Sequence, residues 1–285
     1  MANLKEIRGR ITSISSTMQI TSAMKMVSAA KLKRAQDAIQ QMRPYAEKLQ
    51  NILSNLSASL DSGEGQFSTP KRKGRALVVV ITSNRGLCGA FNSSVIKAAL
   101  AYEADMTEGV KVDYLCLGKK GLDFLRRRNY SIAGEQNKIW ENLNFDQSSE
   151  IAQGIMDDFL AGKYENVVLA YNSFKNAASQ LVKVEQFLPV EMPKDAKSTG
   201  EYLFEPDKKE IVEQLIPQSL KTQLFKALLD SQASEHGARM TAMHKATDNA
   251  KELKKELSLT YNKLRQASIT NEILEIVGGA EALKN

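Results

Sequence analysis

Cysteine, histidine and aromatic residues are all scarce in this 285-residue chain. The two cysteines, Cys88 and Cys116, form no CxxC pair and build no disulfide framework. The two histidines, His236 and His244, cannot hold a metal ion by themselves. No run approaches the ~18 apolar residues that a membrane span requires. The N-terminal stretch lacks an apolar stretch followed by small residues, so no secretory signal is expected. A metal-free protein in a reducing compartment is the expectation. With 42% hydrophobic and 25% charged residues, wholesale disorder is excluded and one large or two small cores fit.

Charge is present but unevenly placed. Residues 1–60 hold nine Lys or Arg against three acids, which accounts for the whole net charge of +6. The partner of this segment should therefore be acidic: nucleic acid, an anionic membrane face, or an acidic protein surface.

Periodicity divides the chain in three. Leu4, Ile7, Ile11, Ile14 and Met18 alternate spacings of three and four, a heptad seam. The seam loosens over Ala23–Leu32, and apolar residues continue past Pro44 to Leu60. One long helix over residues 1–60, on the order of 80 Å at 1.5 Å per residue, is predicted, with a kink at Pro44. Residues 75–205 change character. Ala76–Thr82 is a β-branched run suited to a strand buried on both faces, and Val110–Leu117, Val167–Tyr171 and Leu181–Val190 are further strands. Helical patterns at Ser93–Tyr102, Gly121–Arg127 and Ile151–Leu160 alternate with them, which predicts an α/β domain. From residue 206 the helical pattern returns and runs to 285, interrupted at Pro217 and stopped by Gly278-Gly279. The fold class expected is α/β plus a long antiparallel coiled coil: two long terminal helices with an inserted Rossmann-like α/β domain.

Candidate chemistry is thin. Gly86 and Gly89 after the first strand give GxxG, not GxGxxG, which reads as a tight strand-to-helix turn. Cys88 has no histidine in the α/β region to activate it. Lys71–Lys73 and Arg126–Arg128 lack interleaved aromatics, so a nucleic-acid surface is weakly supported. Six of ten methionines (Met18, Met24, Met26, Met42, Met240, Met243) fall on the terminal helices. They serve either as coiled-coil core or as an adaptable contact surface.

Several segments carry a resemblance. Leu4–Ile11 with Ile20–Lys31, Ile81–Gly89, Ser234–Met243, Ala246–Asn249 and Tyr261–Glu272 together resemble the gamma subunit of F-type ATP synthase, in the same order and over essentially the full length. Asn84 stands where an Asp is common, and His236 lies in a variable slot. The Cys-bearing insert of the light-regulated plant form is missing.

The resemblance implies a central-stalk rotor subunit that couples ion-driven rotation of a c-ring to ATP synthesis and hydrolysis at an alpha–beta hexamer. It implies no active site and no cofactor. Implied partners are alpha, beta and epsilon subunits and the c-ring, with no nucleic acid and one copy per complex. The location implied is the cytoplasmic face of a bacterial plasma membrane. Matching positions are Met24, Lys25, Arg239, Arg265, Gln266, Thr270 and Glu272 for beta-subunit contact, and Tyr202 and Glu205 for the c-ring and epsilon. Ile269, Ile273, Leu274, Ile276 and Val277 form an apolar tip with no Lys or Arg between Arg265 and Lys284, suited to a bearing. Two readings from other classes are a nucleotide-binding α/β enzyme with coiled-coil arms and a nucleic-acid-binding coiled coil.

Overall fold

A computed structural model describes residues 4–57, 66–67, 69, 74–106, 109–190 and 208–282. The chain order is α1 (Leu4–Ser57), β1 (Arg75–Ile81), α2 (Phe91–Ala104), β2 (Lys111–Leu117), α3 (Lys119–Arg127) and β3 (Ile132–Glu135), followed by a short 3₁₀ turn (Lys138–Trp140). Then come α4 (Phe145–Leu160), β4 (Asn166–Phe174), β5 (Gln180–Leu188) and α5 (Lys208–Ala282). The chain divides into two compact units, one of residues 1–27 with 240–285, the other of residues 28–239.

The larger unit holds a five-stranded sheet in the order β3-β2-β1-β4-β5. The first four strands are parallel, and β5 returns antiparallel beside β4. Ala76–Ile81 is buried throughout because the sheet is covered on both faces. On one face Leu77, Val79 and Ile81 pack with Ile155, Met156 and Phe159 of α4 and with Leu220, Leu224 and Leu228 of α5. On the other, Ala76, Val78 and Val80 meet Val95 and Ile96 of α2 and Leu122 and Leu125 of α3. Each of those leucines, once fully buried, contributes about 1.5–3 kcal/mol.

Within this unit α5 is stitched to the sheet by polar contacts. Gln223 Nε2 donates to Glu185 Oε1 at 2.7 Å, Ser173 Oγ to Asp230 at 3.1 Å, and Ser234 Oγ to the Asn172 carbonyl at 3.1 Å. α1 runs antiparallel to α5: Gln218 Nε2 donates to Tyr45 Oη at 3.2 Å, whereas the Lys31 charge acts on Glu235.

In the smaller unit the seam of α1 continues past the point where its hydrophobicity fades. Ile7 and Thr21 are buried, and Leu4, Ile11, Ile14, Met18 and Lys25 are half-buried at alternating spacings of three and four. α5 answers with Met243, Thr247, Ala250, Lys254, Leu257, Tyr261, Leu264 and Ser268 at the same alternation. The hydroxyls of Thr21 and Thr247 share a hydrogen bond of 2.8 Å.

Two sequence expectations are corrected. Pro217 does not interrupt α5. Its missing N–H removes one helix bond, but Ile216 and Leu220 beside it are buried and hold the turn. Nor do Gly278 and Gly279 stop the helix, which runs to Ala282 with neither glycine in the left-handed region. The strand β3 was not expected from its sequence.

Candidate functional site

The carboxyl ends of β1 and β4 flank the point where strand order reverses, the usual ligand crevice of an open α/β sheet. Here the polar groups are consumed internally. The Gly121 N–H donates to Thr82 Oγ1 at 2.9 Å, and Thr82 Oγ1 donates to the Gly118 carbonyl at 3.3 Å. The Ser83 N–H donates to Asn92 Oδ1 at 2.9 Å, and the Lys119 N–H to Asn84 Oδ1 at 3.0 Å. Among the described residues no cluster of His, Cys, Asp and Glu could hold a metal ion. Burial pushes the Cys88 thiol up from its ordinary value and that of Cys116 to about 12, so neither is a ready thiolate.

Arg239 of α5 fills a place beside this crevice. Its guanidinium pairs with Glu235 at 2.6 Å and donates to the carbonyls of Arg85 at 3.0 Å and Gly86 at 3.3 Å. Desolvation pushes the Glu235 carboxyl up, against the opposing pull of Arg239. Desolvation, with Arg239 and Lys31 nearby, pushes His236 down to about 4, so the imidazole is neutral at physiological pH. The side chain expected from the resemblance to meet a partner is thus 8% exposed and turned inward. Periodicity did not reveal this, because the acceptors lie more than 150 residues away in sequence. The Glu235–Arg239 pair at i, i+4 was the one local signal.

The remaining candidates lie on the helices of the smaller unit. Met24 and Lys25 are half-buried on α1, beside the exposed apolar side chains of Ile20, Met26 and Val27. On α5, Arg265, Gln266, Thr270 and Glu272 are exposed. Thr270 Oγ1 donates to the Gln266 carbonyl at 2.9 Å, which places those two on one helix face. Beyond Ser268 every residue to Ala280 is exposed. Ile269, Ile273, Leu274, Ile276 and Val277 are therefore exposed apolar side chains near the helix end, alongside the exposed Glu272 and Glu275, with Ile276 71% exposed. Tyr202 and Glu205 lie outside the described residues.

The ATP synthase family model matches residues 3–283. An ATP synthase gamma chain of Flavobacterium psychrophilum is 62% identical, covering 100% of both chains. That of Cytophaga hutchinsonii is 52% identical, again over 100% of each. The chain belongs to the ATP synthase gamma chain family. Among solved structures, the central stalk and c-ring of Tetrahymena thermophila mitochondrial ATP synthase contains a chain 27% identical, with a TM-score of 0.58 over 80% of this chain and 99% of that one. A chain from Euglena gracilis mitochondrial ATP synthase shares the fold, with a TM-score of 0.66 at 20% identity over 98% of this chain and 94% of that one. This gamma-chain relative carries the family's two long terminal helices and inserted sheet, and no described helix is long and apolar enough to cross a membrane.

Proposed function

We propose that this chain is the central-stalk rotor subunit of an F-type ATP synthase, coupling ion-driven rotation of a c-ring to ATP synthesis and hydrolysis at an alpha–beta hexamer. The observation that carries the reading is the full-length match to gamma chains at 62% identity. The exposed apolar residues near the end of α5 support it: no Lys or Arg lies between Arg265 and Lys284, so a shaft turning inside a ring presents no cation there to catch on each passing subunit. A contact equal in every rotational state shifts no equilibrium, so the useful shaft surface differs from face to face.

In this reading Met24, Lys25, Arg265, Gln266, Thr270 and Glu272 meet beta subunits, and Ile269, Ile273, Leu274, Ile276 and Val277 turn in an apolar bearing. Tyr202 and Glu205 face the c-ring and epsilon. Residues 1–60 and 206–285 form the shaft and residues 75–205 the foot. One copy serves each complex on the cytoplasmic face of the bacterial plasma membrane, without a cofactor, nucleic acid or active site of its own. The basic excess of residues 1–60 suits an acidic protein surface.

The experiment is co-purification from membranes with an affinity tag on this chain. Alpha, beta, epsilon and c subunits are expected at one gamma per three alpha–beta pairs. Recovery of the chain free of alpha and beta would sink the proposal. Cysteines at positions 202 and 205 should cross-link to c or epsilon subunits; failure there, with controls elsewhere succeeding, removes that assignment.

A further inference from the structure

The loop between β1 and α2 holds a leucine in an improbable conformation. Leu87 has a φ of 62°, a left-handed backbone that a branched side chain rarely adopts, and Gly89 follows at 59°. Leu87 is also 65% exposed, so no packing of its own side chain explains the geometry. Backbone strain of this kind persists only where surrounding contacts over-determine it.

Two sets of contacts do so. From inside, Ser83 Oγ donates to the Arg85 carbonyl at 2.6 Å, and the Phe91 N–H donates to the Cys88 carbonyl at 3.3 Å. From outside, Arg239 of α5 reaches the two carbonyls just before Leu87. Its Nη2 donates to Arg85 O at 3.0 Å and to Gly86 O at 3.3 Å, and its Nε donates to Gly86 O at 3.3 Å. Glu235 accepts from the remaining Nη1 at 2.6 Å and aims the planar fork at the loop. Charged donors make the stronger class of hydrogen bond, and a guanidinium spans two carbonyls as a point-charge ammonium cannot. Gly237 lies on the same stretch of α5, where an added Cβ would come within 3.2 Å of Ala177 in the β4–β5 loop.

We propose that Arg239 is a positioning residue rather than a partner contact: it clamps the Asn84–Ala90 loop to α5, so that the loop and this part of α5 turn as one body. The link to turning rests on the rotor reading; the clamp itself does not. Without Arg239 the loop loses the donors that hold Leu87 left-handed and opens. Cys88 sits in that loop, 2% exposed, and reports its opening, whereas Cys116 in the middle of the sheet reports general unfolding.

The test is N-ethylmaleimide labelling of the full-length chain, read separately at Cys88 and Cys116 by peptide mass spectrometry. Arg239→Lys keeps the charge and loses the fork. It should raise Cys88 labelling about ten-fold or more while Cys116 stays protected. Adding Leu87→Asn, which tolerates the left-handed backbone, should return much of the protection. Unchanged Cys88 labelling, equal rises at both cysteines, or no rescue by Asn overturns the clamp. In the assembled complex, Arg239→Lys should hydrolyse ATP but pump fewer ions per ATP. Normal pumping with an open loop overturns the link to coupling and leaves the clamp standing. Failure of the unaltered chain to assemble with alpha and beta subunits rejects the rotor reading alone.

Discussion

Thr21 of α1 and Thr247 of α5 face each other through a single shared hydrogen bond, at a seam position where a coiled coil ordinarily places a leucine or an isoleucine. Each hydroxyl also lies within hydrogen-bond reach of its own helix, Thr21 at 3.1 Å from the Met18 carbonyl oxygen and Thr247 at 2.8 Å from that of Met243. With one proton apiece, one hydroxyl donates across the seam and the other to its own helix. A small polar pair of this kind lets two helices approach closely and fixes their register, at some expense in stability.

The pair should behave as a unit. Thr21→Val or Thr247→Val alone leaves one partly buried hydroxyl without its cross-helix partner and is expected to destabilise by about 1 kcal/mol. The double Val variant should recover most of that loss, because both polar groups are gone. A denaturant-unfolding double-mutant cycle measures the coupling, and strict additivity would show that the hydrogen bond contributes nothing.

Glycine positions offer a paired prediction. A Cβ at Gly118 would lie 2.0 Å from the Thr82 carbonyl oxygen, and Gly118 has a φ of 133°. Gly118→Ala should therefore yield little soluble folded protein. Gly154, exposed within α4, has nothing within 4 Å of an added Cβ. Gly154→Ala should stabilise by about 0.5–1 kcal/mol in thermal unfolding.

His236 predicts an acid limb. Its folded value of about 4 lies below the unfolded 6.5, so between these pH values the unfolded chain binds the extra proton. Stability from this group is then present above about pH 6.5 and is lost as pH falls toward 4, by about 3 kcal/mol in full. Glu235 and Asp230, whose carboxyls are pushed up by burial, act in the opposite sense, since their contribution falls as pH rises. The informative quantity is therefore the difference between the parent chain and His236→Gln. The parent should lose more stability than the variant between pH 6.5 and 4, and parallel curves would contradict the assignment.

Met24→Lys probes the rotor surface. A new cation beside Lys25 would form charge-assisted hydrogen bonds with a partner carboxylate, worth ~1.5–3 kcal/mol, at some angles and not others. Assembly and ATP binding should survive while ions pumped per ATP fall, more steeply at higher temperature. Loss of assembly before loss of coupling would mean that Met24 is simply packing.

At the far end of α5, substitution of Gln266 or Thr270 by Ala should lower coupled ATP synthesis in membranes with the helix intact by circular dichroism. Normal synthesis rates would assign both to ordinary solvated polarity.

Local pattern alone determined a good deal. Ala76–Thr82 reads as a buried strand because six consecutive apolar residues have no exposed face to spare, and β1 lies there. The heptad seam from Leu4 to Met18 is legible because hydrophobicity and close packing coincide. The seam disappears from the sequence at Thr21, Lys25 and Ser28, where the packing continues with small or amphipathic side chains. Strand β3, only four residues long, has no apolar run to announce it and exists through its ladder with β2. Pro217 and Gly278-Gly279 are strong local breakers, yet a helix 75 residues long runs through them. Neighbouring turns and, at Pro217, buried leucine and isoleucine packing outweigh a local penalty of a few kcal/mol. Arg239 is marked by the resemblance as a partner contact, and local pattern offers only its i, i+4 pairing with Glu235. Its role was decided by two carbonyls brought to it from a distant loop, because hydrogen bonds depend on position in space and composition does not report it.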